Sequence, residues 1–177
     1  MRAGTRLVIT GFTGGYTLNS KIRAKTSHLF HICAGSGIVP NFAIIKSALA
    51  VRPEIQHMLL YSSRTWDDII FRSRLEALSR KYPDQLRVVH TLTREKDIAA
   101  RCPNVRTGRV GIDVLKELIP ATLDCHFFVC GPGISVYEQA AAKEKGVSSE
   151  PRFMESVIAS LKQLGVSSDQ ITHESYG

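Results

Sequence analysis

Residues 28–40 read HLFHICAGSGIVP, and this stretch decides the fold. A strand-like run, HLFHIC, leads into Gly35-Ser36-Gly37, and Pro40 follows where it can open a helix as its first residue. Strand, glycine turn and helix in that order make the first half of a βαβ unit. The turn lies at the carboxyl end of the strand, where parallel sheets bind ligands. Glycines let the backbone approach a pyrophosphate, the helix N-terminus offers N–H groups and partial positive charge, and Ser36 adds a hydroxyl donor. A G-x-G alone equally describes a tight strand-to-helix turn in any α/β protein. The third glycine of G-x-G-x-x-G is absent, which disfavours a standard Rossmann dehydrogenase.

Outward from this loop, apolar runs bounded by turn residues alternate with helix-length segments, the pattern of a parallel sheet. Strands are predicted at 28–33, 57–62, 86–91, 125–130 and 170–174, and helices at 40–50, 67–81, 111–119, 134–145 and 152–164. The helix at 67–81 follows a capping-box-like Thr65 and Asp68 and carries an apolar stripe of Ile69, Leu75 and Leu78. Residues 1–20 do not fit the scheme. RLVIT at 6–10 reads as a strand, and GFTGGYTL at 11–18 as a glycine-bearing loop with no crossover helix behind it. A lone strand leaves its edge unpaired, so residues 1–20 are expected to be the tail of a preceding β-domain, and residues 21–177 the main domain.

The chain has 177 residues, 44% of them hydrophobic, enough for one domain with a real core. No apolar run approaches the roughly 18 to 20 residues of a membrane span, and the first twenty residues lack a signal peptide's pattern, so a cytoplasmic location is expected and no membrane contact. The net charge of +7 raises the question of nucleic acid. However, the basic residues are spread and interleaved with acids, as in Lys143-Glu144-Lys145, like a solvated helix face. A small anionic ligand or an acidic protein partner is the better use of the charge, and no nucleic acid is expected. Cys33, Cys102, Cys125 and Cys130 form no C-x-x-C pair, which argues against zinc or an iron–sulfur cluster in this chain. His28, His31 and Cys33 share one strand, but alternation turns His28 away from the other two, so no metal site is expected.

Taken in order, the motifs resemble those of the ferredoxin–NADP reductase superfamily, particularly the reductase components of bacterial oxygenases. The nucleotide loop A-G-G-x-G-I-x-P matches Ala34-Gly35-Ser36-Gly37-Ile38-Val39-Pro40. A second strand ending in Y-x-x-R and an aspartate-rich helix start match Tyr61 to Arg64, Asp67-Asp68 and Phe71-Arg72-Ser73-Arg74-Leu75. Then come Thr91 with Arg94, Gly108-Arg109-Val110, Cys130-Gly131-Pro132, a terminal helix from Leu161 to Val166, and His173-Glu174-Ser175-Tyr176. Residues 4–18 are similar to the last strand and loop of the family's flavin domain, with Tyr16 in its aromatic place. Two features depart from the pattern: the flavin-binding R-x-Y-S motif is absent, and the segment between Gly133 and Phe153 is longer than usual.

The resemblance implies a Rossmann-like, doubly wound, five-stranded parallel sheet of order 3-2-1-4-5, preceded by a β remnant of a flavin-binding barrel. It implies a domain that binds NADP or NAD and serves FAD held by an FAD-binding domain of the same parent protein. From there electrons pass to a ferredoxin-like iron–sulfur domain or an oxygenase. A nucleotide-binding regulatory or adaptor module is the alternative. Carried over residue by residue, Gly35, Ser36, Gly37, Ile38, Val39, Pro40, Ser63, Arg64, Gly131 and Pro132 bind the nucleotide. Cys130 lies beside the nicotinamide ring, with Glu174 and Tyr176 near nicotinamide and flavin. Cys130 also reads as a core thiol, Tyr176 as a tail residue, and Arg64 as a surface cation paired with Asp67 or Asp68. Arg64 stands where an NAD site carries an acid, which tilts the expectation towards NADPH.

Overall fold

The computed structural model describes residues 4–6, 8, 10–11, 14–95, 104–120 and 124–176. A short helix α1 (Ser20–Lys25) precedes β1 (His28–Ala34), α2 (Ile38–Val51), β2 (Gln56–Ser63), α3 (Arg72–Lys81) and β3 (Leu86–Leu92). There follow β4 (Val105–Thr107), α4 (Ile112–Leu118), β5 (His126–Gly131), α5 (Val136–Glu144), α6 (Phe153–Gln163) and β6 (Ile171–Ser175). All strand pairings are parallel, and the sheet order is β4-β3-β2-β1-β5-β6. The five predicted strands stand in the predicted order. The correction is a sixth strand, β4, added at the edge beside β3 and too short to show a pattern of its own.

Alternation along the central strands divides the core. Phe30, Ile32, Leu60, Val89, Phe127 and Val129 face α4 and α6, packing on Leu115, Val157 and Leu161. Cys33, Leu59, Tyr61, Val88 and Leu92 face α2 and α3, against Ile38, Phe42, Ile45 and Leu75. Five consecutive residues of β1 are buried, as expected of a strand covered on both faces. A third cluster, Ile22, Leu29, Ile44, Ile55 and Phe128, seats the arm through Tyr16 and Leu18.

Two helix boundaries correct the reading. The Thr65–Asp68 motif forms, with the Thr65 backbone N–H and hydroxyl donating to Asp68 Oδ2 at 3.1 and 2.8 Å, but it closes an isolated turn. Phe71 has φ of 60°, stacks on Phe42 with ring centroids 4.6 Å apart, and so α3 starts only at Arg72. In α2, Pro40 is the third helical residue, not the first. It is tolerated because the first N–H groups of a helix have no partner within it. The strand expected at 6–10 and the loop after it fall partly, and Cys102 entirely, outside the described residues. Among the described residues no strand precedes β1, Cys33, Cys125 and Cys130 are free thiols, no cluster could hold a metal, and no helix is long and apolar enough to cross a membrane.

Candidate nucleotide site

At the end of β1 the chain makes one 3₁₀ turn, Gly35–Gly37, before entering α2. The two glycines are needed for different reasons. Gly35 has φ of 53°, which a β-carbon disfavours. Gly37 has an ordinary φ of −60°, but a β-carbon there would overlap the Cys130 carbonyl. β1 and β5 are neighbours at the point where the strand order reverses, with Cys33 opposite Cys130. The glycine turn and Cys130 therefore flank one crevice. Tyr61, wholly buried on β2, pins the turn by donating its hydroxyl to the Gly35 carbonyl at 3.0 Å. Burial pushes its phenol up to about 12. The same oxygen accepts from the Ile70 N–H at 3.3 Å, tying the turn to the segment before α3.

A cavity of about 1230 Å³ opens beside this turn. Of the predicted residues its walls carry Gly35, Ser36, Ser63, Arg64 and Pro132. The other eight lie outside the walls. Gly37 packs on the Cys130 carbonyl, Ile38 is buried in the core, Val39 is exposed, and Pro40 belongs to α2. Cys130, Gly131, Glu174 and Tyr176 gather along the β5–β6 ladder. Cys130 is in register with Glu174, and the Tyr176 N–H donates to the Gly131 carbonyl at 3.0 Å. The Cys130 side chain is buried, and burial together with nearby Glu174 pushes its thiol up to about 12, so it stays protonated.

Six more residues line the cavity that sequence reasoning did not assign to the site: Asp68 beside Arg64, and Thr93, Arg109, Glu138, Lys145 and Arg152. Asp68 and Arg109 carried a signal, in the aspartate-rich helix start and the G-R-V motif, and the other four carried none. α5 brings Glu138, which caps its own helix through Ser135 and forms an ion pair with Arg152. The Ile134 N–H donates to Glu155 Oε1 at 2.9 Å, holding the loop after Cys130-Gly131-Pro132 against α6. The ring of Phe153 lies where a side chain at residue 131 would stand, which is why that residue is glycine. Arg64 approaches Asp68 at 4.0 Å, the pairing that the spacing allowed.

A parallel sheet with a glycine turn at its reversal point, opening on a cavity with cations in its walls, defines a dinucleotide-binding domain. The chain belongs to the oxidoreductase NAD-binding domain family, whose model matches residues 31–139. It is 31% identical over 122 residues to an NADH nitrate reductase of Volvox carteri, covering 67% of this chain and 14% of that protein. It is 29% identical over 164 residues to NADH-cytochrome b5 reductase 2-B of Vanderwaltozyma polyspora, covering 90% of this chain and 51% of that one. A cytochrome P450 reductase from Amycolatopsis shares the fold with a TM-score of 0.66 at 23% identity, over 93% of this chain and 42% of its own. The fold is thus that of the ferredoxin–NADP reductase-like flavoprotein reductases, and the chain spans about half or less of the relatives it matches.

Proposed function

We propose that this chain is the part of a flavoprotein reductase that binds NADH and presents its nicotinamide to FAD. The FAD sits on a β-domain of the same protein, of which residues 1–20 are the tail, and electrons continue to an iron–sulfur carrier or an oxygenase. The observation that carries this reading is the glycine turn, held by Tyr61 and Gly37, beside a cavity lined by Gly35, Ser36, Ser63 and Arg64. These residues fit a pyrophosphate. A backbone turn without side chains allows close approach, and cations in the wall supply the countercharge. When both cofactors are bound, the nicotinamide supplies a hydride and the flavin accepts it. What is left to the protein is to align them and exclude water. A neutral, buried Cys130 beside the crevice suits a positioning contact better than nucleophilic chemistry. Among the described residues Cys33, Cys125 and Cys130 are free thiols, in keeping with a reducing cytoplasm.

The choice of NADH departs from the tilt that Arg64 alone gave. Asp68 shares its wall and stands 4.0 Å from the guanidinium, where its charge opposes a 2′-phosphate and can accept from ribose hydroxyls. Two of the proteins named above, the nitrate reductase and the cytochrome b5 reductase, are NADH enzymes by name. Fluorescence titration of the chain with each nucleotide tests the reading. NADH should bind saturably and more tightly than NADPH, and Asp68→Ser should shift the ratio about tenfold towards NADPH. Failure of the chain to bind either nucleotide would refute it.

A further inference from the structure

A buried polar chain crosses the α2 face of the sheet and is not needed to explain the cavity walls. Asn41, wholly buried on α2, is its centre. Its Nδ2 donates to the Gly37 carbonyl at 2.8 Å, inside the glycine turn. Its Oδ1 lies 3.0 Å from the Tyr16 hydroxyl, which donates to it, and 2.9 Å from His31 Nδ1. A carbonyl oxygen can only accept, so His31 carries its proton on Nδ1. His31 Nε2 therefore accepts from His57 Nδ1 at 3.1 Å. The order of donors leaves Asn41 one orientation for its amide, with the NH2 group towards Gly37.

Tyr16 belongs to the arm. Its ring meets Phe128 edge-on with centroids 5.3 Å apart, and Leu18 packs into the cluster of Ile22, Ile44 and Ile55. Gly37 is the residue whose backbone rests on the Cys130 carbonyl. One connected path therefore runs from the arm, through the Asn41 amide, to the turn and the crevice.

We propose that Tyr16 and Asn41 form a latch through which docking of the N-terminal arm sets the geometry of the glycine turn. In it Asn41 is a positioning residue, and the His31–His57 pair holds its amide in orientation. The proposal rests on the nucleotide-binding reading above. Binding and docking are then linked, and the linkage must be reciprocal: a docked arm favours nucleotide, and nucleotide favours a docked arm. Because the arm is the path towards a preceding domain, a displaced flavin domain would be felt at the pyrophosphate turn.

The test uses Tyr16→Phe, which removes one oxygen and keeps the ring, in the whole chain. Hydrogen–deuterium exchange should rise selectively in peptides covering residues 35–40, and NADH affinity should fall about two- to tenfold. In the wild type, NADH should slow exchange at residues 14–19, which line no part of the cavity. Asn41→Asp keeps an acceptor for Tyr16 and His31 but removes the donor to Gly37. It should loosen residues 35–40 while leaving 14–19 protected. Unchanged exchange at 35–40 in both variants overturns the latch, as does a uniform rise across the sheet, which marks loss of stability alone. If the wild type binds no NADH the reading of function fails, while exchange at 35–40 without nucleotide still decides the latch.

Discussion

Lowering the pH from 7.5 to 5.0 should destabilise this protein far more than its surface charges alone would. His31, His57 and His90 are buried and held neutral, with values lowered to about 3, 4 and 4. Burial is the first cause for each. For His31 the second is His57, and for His90 it is Arg72. The unfolded chain takes up these protons near pH 6.5 and the folded chain does not, so stability is full above that value and falls as pH drops towards the folded values. Each unit below 6.5 costs about 1.4 kcal/mol per histidine, so pH 5.0 costs about 2 kcal/mol each and roughly 6 kcal/mol for three. Small domains are stable by about 5–15 kcal/mol in all. The carboxylates with lowered values, Glu117, Glu138, Glu155 and Asp169, withdraw their stability only below about pH 4 to 5, outside this window. Urea denaturation at the two pH values reads the difference, with the m-value as a check on two-state behaviour. Among the described residues His90 Nδ1 has no hydrogen-bond partner, so His90→Phe removes one titrating ring without costing that nitrogen a hydrogen bond and should shrink the loss by about a third. A loss below about 2 kcal/mol in the wild type, or the same loss in His90→Phe, would refute the reasoning.

Two further outcomes are expected. Gly37→Ala should destabilise by about 3 kcal/mol or more, because the methyl overlaps backbone at Cys130. Gly35→Ala has open space and should lose only the left-handed penalty of about 1–2 kcal/mol, so equal losses in urea denaturation would contradict the distinction. In the flavin-containing parent protein, Cys130→Ala should lower kcat for hydride transfer more than it raises KM for NADH. Rates equal to wild type in stopped-flow reduction of the flavin would return Cys130 to a packing role.

What the sequence made legible were the features written in contiguous residues. β1, β2, β3 and β5 are largely buried strands of six to eight residues, and the glycine turn directly follows the first of them. The start of α3 was misread because Thr65 and Asp68 do form their local bonds. The contact that ends the turn, Phe71 on Phe42, joins residues 29 positions apart and has no local mark. The cavity wall from α5 and the segment after it was invisible for a related reason. Glu138, Lys145 and Arg152 look like any solvated helix face until the fold brings them opposite Arg64. His31 could be weighed against its strand neighbours, but its partners Asn41 and His57 come from the next helix and the next strand.

The same geometry answers the question that the charge raised. Four cations line the cavity, and two of them are engaged: Arg152 with Glu138, and Arg64 with Asp68 at 4.0 Å. Among the described residues Arg109 and Lys145 form no ion pair, although they share the cavity with Glu150. A bound pyrophosphate carries about two negative charges, and it would meet about two unengaged cations together with the N-terminal end of α2. An extended polyanion needs a row of such cations, each releasing counterions, and the acids on this wall interrupt the row. The cations of this wall therefore suit the proposed diphosphate better than a nucleic-acid backbone. On the proposed reading, Arg109 and Lys145 are the side chains through which that preference would act.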